Sequence, residues 1–256
     1  MVWDKIKQLI IVFHINLNPF QMKDLFGKAI LDYQTNNALE VLITETNISE
    51  ADEMDVSYLF RSYKAMPKLE QKALQLAKGK VLDVGCGAGS HSLYLQNERN
   101  LEVLAIDISK QAIEACKLRG LNNAQSVDLL SLESGNFDTI LLLMNGTGIF
   151  ENLSKTSLYL QKLKSLLAPK GQILIDSSDL IYMFDEEEDG SKWITADGYY
   201  GELTFTISYK NETENPFPWL YMDYNTLQNA AHANGLECEL IAEGAHFDYL
   251  AALFVV

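Results

Sequence analysis

Residues Lys80–Leu95, KVLDVGCGAGSHSLYL, restrict the fold more than any other stretch of the chain. Val81-Leu82-Asp83-Val84 is a short apolar, β-branched run. It ends in Gly85-Cys86-Gly87-Ala88-Gly89, and Ser90–Leu95 then reads as a helical start. A strand, a glycine turn and a helix N-terminus in that order let backbone approach a ligand closely, because glycine tolerates φ > 0 and carries no Cβ. The dinucleotide fingerprint needs glycine at its first, third and sixth positions, and here the sixth is Ser90. The Lys-Ser/Thr ending of a triphosphate loop is also missing.

A second acid supports a nucleoside site. Asp107 closes the next apolar run, Val103–Ile106, and lies 18 residues beyond Gly89, room for one helix and one strand. An acid at that strand tip is placed to accept hydrogen bonds from two ribose hydroxyls. Further on, a short strand around Ala124–Val127 leads to Asp128-Leu129. Phe137–Leu143 reads as a strand whose Ile140–Leu143 part is continuously apolar, as a doubly covered parallel strand requires, and it enters Met144-Asn145-Gly146-Thr147-Gly148. Gln172–Ile175 reads as a fifth strand after a Pro169-Lys170-Gly171 turn, with Asp176–Asp179 at its end. Ligands of open α/β sheets bind outside the carboxyl ends of the strands, so all these termini face one crevice.

At these residues the chain resembles the class I S-adenosylmethionine-dependent methyltransferases. DVGCGAG is similar to their glycine loop and AIDIS to their acidic second motif, with the likeness running from about Leu59 to the end. The resemblance implies a Rossmann-like, doubly wound α/β fold. Its seven-stranded sheet would be mostly parallel with an antiparallel last strand. It implies cofactor contacts at Asp83, Gly85, Cys86, Gly87 and Gly89, at Asp107 with Ile108, and at Asp128 with Leu129, where the acid would bind the adenine amino group. Asn145 matches the fourth motif, near the methyl group or substrate. Tyr63 and His91 are added as contacts from the front segment and the helix after the glycine loop. Phe60, Arg61 and Tyr63 either touch the cofactor or serve ordinary packing. Gly148 either lines the site or only permits a turn with φ > 0.

The flanks divide the chain into an N-terminal extension and cap segment, 1–56, and a methyltransferase domain, 57–256. Leu25, Phe26, Ala29, Ile30 and Tyr33 recur at helical spacing, so Met22–Gln34 reads as a helix. Glu40–Thr46 is β-like, and an acid-rich loop follows through Glu53 and Asp55. Ser57 is a candidate cap for Tyr58–Lys64, and Pro67–Lys78 a second helix. Residues 1–20 read as a weakly ordered extension or sequence upstream of a misplaced start. From about 180 to 222 the strand-helix alternation breaks. The alternating Leu203–Ile207 marks an antiparallel strand, read as a β-hairpin insertion over the crevice. Its aromatics (Trp193, Tyr199, Tyr200, Phe217, Trp219) either wall a substrate pocket or form the insertion's own core. The run Asp185–Asp189 reads as a solvated loop, with divalent-cation binding as the alternative.

A formal charge of −15 argues against nucleic acid, whose phosphates need a basic footprint. The apolar run Leu9–Phe13 is too short for a membrane span. Three cysteines, far apart in sequence with no CxxC pair, fit a reducing cytoplasm without structural zinc. The expectation is a cytoplasmic S-adenosylmethionine-dependent methyltransferase with a small-molecule acceptor. A protein or peptide acceptor, and a non-catalytic cofactor-binding module acting through partners, are the alternatives. No motif singles out a general base among His91, His246, Tyr63 and Asp179. Asp83, Asp107, Asp128, Asp176 and Asp179 together suit a cationic cofactor.

Overall fold

The computed structural model describes residues 23–36, 40–184, 192 and 198–255. The start of the chain, the acidic run and Trp193 lie outside the described residues.

The apolar runs form the central sheet. β3 (Lys80–Val84), β4 (Glu102–Asp107), β5 (Ala124–Ser126), β6 (Phe137–Leu142), β7 (Leu167–Ser178), β11 (Glu237–Glu243) and β12 (Asp248–Phe254) pair in the order β11-β12-β7-β6-β3-β4-β5. β3, β4, β5, β6 and β7 pair in parallel. β12 runs antiparallel to both β7 and β11. Strands covered on both faces must be apolar throughout, and Ile140, Leu141 and Leu142 of β6 are all fully buried.

The helices cover both faces. α2 (Lys68–Leu76) and α3 (Ser90–Asn97) pack one side, with Leu69, Ala73, Leu74 and Leu95 in one apolar cluster. α5 (Leu153–Leu166) and α6 (Tyr224–Ala233) pack the other, contributing Leu160, Leu163 and Leu227. α4 (Lys110–Leu118) follows β4, capped by the Ser109 side chain on the Ala112 N–H. The Pro169–Gly171 turn exists, but inside a longer β7. Leu167 pairs with Phe137 and Gln172 with Thr139, so the turn is an excursion between two paired stretches.

The flanking segments differ from expectation. α1 (Leu25–Asn36) is present, burying Leu25, Ala29 and Ile30. The acid-rich stretch expected as a loop is instead a strand, β2 (Ser49–Met54), antiparallel to β1 (Leu42–Thr46). Five of its six residues are exposed, so it is a charged sheet edge without an apolar face to betray it. The next turn is capped by Asp55, accepting from the Ser57 N–H, and spans Val56–Phe60, not Tyr58–Lys64.

The insertion is also not a separate hairpin. β8 (Glu202–Tyr209) pairs with β10 (Phe217–Leu220), with the short β9 (Glu212–Thr213), and with β1 from the other end of the chain. The result is a second, five-stranded antiparallel sheet of order β10-β8-β1-β2, with β9 beside β8. Its Leu42, Ile207 and Tyr209 share an apolar cluster with α1, with Ala112 and Ala115 of α4, and with Ala88 of the glycine loop. The second sheet and α1 therefore cover the glycine loop from outside.

Candidate active site

Gly85, Gly87 and Gly89 all take left-handed backbone, with φ of +70°, +52° and +79°. The loop is fixed from its own side by the Gly85 and Cys86 N–H groups, both donating to the Ile106 carbonyl at 2.9 and 3.0 Å. A Cβ on Gly87 would meet nothing nearer than Ile30 Cδ1 at 4.0 Å, so one wall of the turn is open. Gly85 is exposed on the same turn.

Asp107 ties this loop to the next strand. Its Oδ2 accepts from the Gly87 N–H at 2.9 Å and its Oδ1 from the Ser109 N–H at 2.8 Å. A carboxylate has about four lone-pair sites, so each oxygen retains one for a hydroxyl donor. Burial raises its pKa against those two bonds. Asp107 is half-buried, and beside it Ile108 is 60% exposed. Asp128 is exposed and caps the following turn by accepting from the Leu130 N–H at 2.7 Å, while Leu129 is buried. Asp83 is buried and accepts from the Ser92 hydroxyl at 2.6 Å, pinning α3 to β3.

Cys86 and Cys116, 30 residues apart, bring their sulfurs to 4.0 Å beneath the glycine loop, both as free, buried thiols. Cys116 also donates to the Gly87 carbonyl at 3.2 Å.

His91 is not free to act as a base in the crevice. Its Nε2 lies 2.6 Å from Glu70 Oε2, and Arg61 Nη2 donates to both Glu70 oxygens at 2.5 Å. All three side chains are at least nine-tenths buried. Arg61 Nη1 donates to the Tyr58 carbonyl, and the buried Arg61 Nε has no partner among the described residues. Tyr63 stacks on Tyr94 at 4.0 Å and accepts from Gln75, so its ring contacts α2 and α3 residues instead of the loop.

Burial acts to lower the His91 pKa, but Glu70 and Asp83 outweigh it and raise it. Burial acts to raise that of Glu70, and His91 and Arg61 overcome it. The signs follow. The His91 contribution to stability is complete below the ordinary value near 6.5 and is lost as pH rises through the raised value. The Glu70 contribution is complete above about 4.5 and is lost as pH falls. Melting temperature is therefore expected to fall as pH rises above about 6.5. His91→Gln should flatten that limb, and an unchanged slope in the variant would remove His91 as its source.

At the other end, Asn145 is held with φ +62°, after Met144 at +67°. Its Oδ1 accepts from the Ser177 hydroxyl at 2.9 Å, so it is built into the wall. Gly148 has no positive φ. It is glycine because a Cβ there would fall 2.0 Å from Cε2 of Trp219. Asp176, which sequence reasoning placed in the crevice without a specific role, accepts from the N–H groups of Met144 and Gly146, each at 3.0 Å. Burial pushes its pKa up to about 6 despite both bonds. The signal was one acid at a strand end, indistinguishable in sequence from Asp179. Asp179 itself caps a turn and accepts from the Tyr200 hydroxyl at 2.7 Å.

The comparisons with known proteins agree with this geometry. Residues 76–217 match a family model described as a methyltransferase domain. A crystal structure of a SAM-dependent methyltransferase from Bacteroides fragilis, in complex with S-adenosyl-L-homocysteine, is 47% identical, with TM-score 0.85 over 91% of this chain and 95% of that one. The CcbJ methyltransferase from Streptomyces caelestis is similar in fold alone, at 15% identity and TM-score 0.57 over 75% and 90% of the two chains. The search of curated proteins found no match. The chain belongs to the SAM-dependent methyltransferases and is an enzyme of that class.

The residues present fit the cofactor. The glycine turn has an open wall that a Cβ would narrow, Asp107 has lone pairs to spare, and Arg61 Nε is an unused buried donor. Among the described residues no group of three or more His, Cys, Asp or Glu could hold a metal ion, and no helix is long and apolar enough to cross a membrane.

Proposed function

We propose that this methyltransferase acts on a small molecule in the cytoplasm, with 57–256 as its catalytic domain, covered by the sheet that 40–54 and 202–220 build together. The observation behind the acceptor class is the cover over the strand ends. β10 is tied to the loop after β6, where Thr147 Oγ1 donates to the Leu220 carbonyl at 2.9 Å and Asn145 Nδ2 to the same oxygen at 3.4 Å. Trp219 lies directly on Gly148. A compact acceptor fits beneath that cover better than an extended peptide crossing it. Three free thiols support a reducing compartment.

The cofactor, when bound, supplies a methyl group already activated by its sulfonium, so the chain's task is chiefly alignment. In this reading Gly85, Cys86, Gly87 and Gly89 form the bed, with Asp83 fixing it through Ser92. Asp107 holds the ribose hydroxyls, Ile108 and Leu129 flank the base, and Asp128 accepts from its amino group. Arg61 Nε meets the carboxylate, with Glu70 and His91 as its support. Asn145 positions the loop facing the acceptor.

Calorimetry with S-adenosylhomocysteine tests the bed. Asp107→Ala is expected to weaken binding by about 1.5–3 kcal/mol, the scale of charged hydrogen bonds. Unchanged affinity would take Asp107 away from the ribose. Incubation of a cell extract with methyl-labelled cofactor tests the acceptor: label should enter a new small-molecule product that chromatography separates from the cofactor, and label in protein would favour the peptide reading.

A further inference from the structure

The acceptor end of the crevice has a composition of its own. Asp176 lies two residues before the end of β7, and Asp179 follows just beyond that end. Aromatic side chains surround them. Tyr182 and Phe247 stack at 4.9 Å with their planes 12° apart, although they are 47% and 58% exposed. The Asp179 N–H donates to the Phe247 carbonyl at 2.9 Å, which fixes this pair beside the acid. Tyr200 donates to Asp179 from the other side. The Tyr221 hydroxyl makes no hydrogen bond among the described residues, and its pKa is pushed up to about 12 by burial first, then by neighbouring Tyr182 and Asp176. The cations nearby are engaged, Arg61 on Glu70 and Lys192 on the Phe184 carbonyl at 3.2 Å.

We propose that this end of the crevice takes an amine, bound as its ammonium between the Tyr182, Phe247 and Tyr221 rings and the carboxylates of Asp176 and Asp179. The inference rests on the methyltransferase reading above and names the acceptor class for that same site. Aromatic faces attract ammonium groups when water is excluded. The free Tyr221 oxygen accepts one N–H. A carboxylate or phosphate acceptor would face two acids, with Arg61 and Lys192 already engaged elsewhere. A neutral alcohol would gain nothing from either acid's charge. The lone pair of an ammonium is blocked by its proton, and Asp176 is the group to take it: one proton moves from nitrogen to the carboxylate, leaving a neutral amine and a carboxylic acid. With its pKa raised by burial to about 6, Asp176 is a better acceptor for that proton than an ordinary surface carboxylate.

The test uses three ligands with one ring and different head groups. Protein is first saturated with S-adenosylhomocysteine and then titrated calorimetrically with benzylamine, benzyl alcohol and benzoate. Benzylamine is expected to bind roughly tenfold or more tightly than either of the others. That preference should shrink in both Asp179→Asn and Tyr221→Phe, whose own S-adenosylhomocysteine titrations show whether they are folded. Equal binding of the three, a preference for benzoate, or no benzylamine binding overturns the amine assignment. Failure of the initial S-adenosylhomocysteine titration would instead remove the cofactor site itself.

Discussion

Glu70→Ala is expected to cost about 3–5 kcal/mol of stability, the scale of breaking a buried ion pair from one side. The reason is what remains behind. Glu70 is 4% exposed and is the counter-ion for both Arg61 and His91. Its removal leaves a buried guanidinium, whose Nε already lacks a partner, facing an imidazole whose pKa then falls with burial. A domain of this kind has about 5–15 kcal/mol in total, so the loss is a large fraction. Chemical denaturation should show a lower midpoint with the same slope. A midpoint shift below about 1 kcal/mol would mean that the triad is not closed as described. The double variant Glu70→Ala/His91→Ala should be less destabilised than the single effects summed, because the two share one network.

The second large effect separates two glycines of one turn. A Cβ on Gly89 would lie 2.8 Å from Cys116 Sγ, with Leu121 Cδ2 at 3.6 Å behind it, on backbone with φ +79°. Left-handed strain of about 1–2 kcal/mol adds to overpacking of about 1–3 kcal/mol, so Gly89→Ala should destabilise by about 2–5 kcal/mol. Gly87→Ala has the strain without the clash, since its Cβ reaches only open space and Ile30 at 4.0 Å. It should melt within a few degrees of the parent yet bind S-adenosylhomocysteine at least about tenfold more weakly, which is ~1.4 kcal/mol. Equal affinity for parent and Gly87→Ala would show that no ligand lies against that wall.

The central sheet was legible because each strand writes its burial into the sequence. Ile140–Leu142 is apolar throughout, and the glycine loop announces a turn that only glycine can make. The tip acids were legible for the same topological reason, as carboxyl ends of parallel strands. The second sheet was not. SEADEM has no apolar period, and nothing in Leu42–Thr46 says that its partner is Glu202–Tyr209. Long-range pairing leaves no local trace when one side is solvent. The fate of His91 was hidden too, because its partner Glu70 sits 21 residues earlier on another helix. Gly148 was read through backbone freedom, whereas its cause is an indole from far along the chain.

Pairing of Ile43 with Ser208 has a consequence for biosynthesis. The early strand leaves the ribosome 165 residues before the one it must join. At about 5–20 residues per second that is a wait of roughly 10–30 s. During it, the leading hairpin has an unsatisfied inner edge, and the nucleoside bed has no roof. Residues 202–209 must therefore emerge before a newborn molecule can roof its glycine loop, and until then the inner edge of the early hairpin stays open.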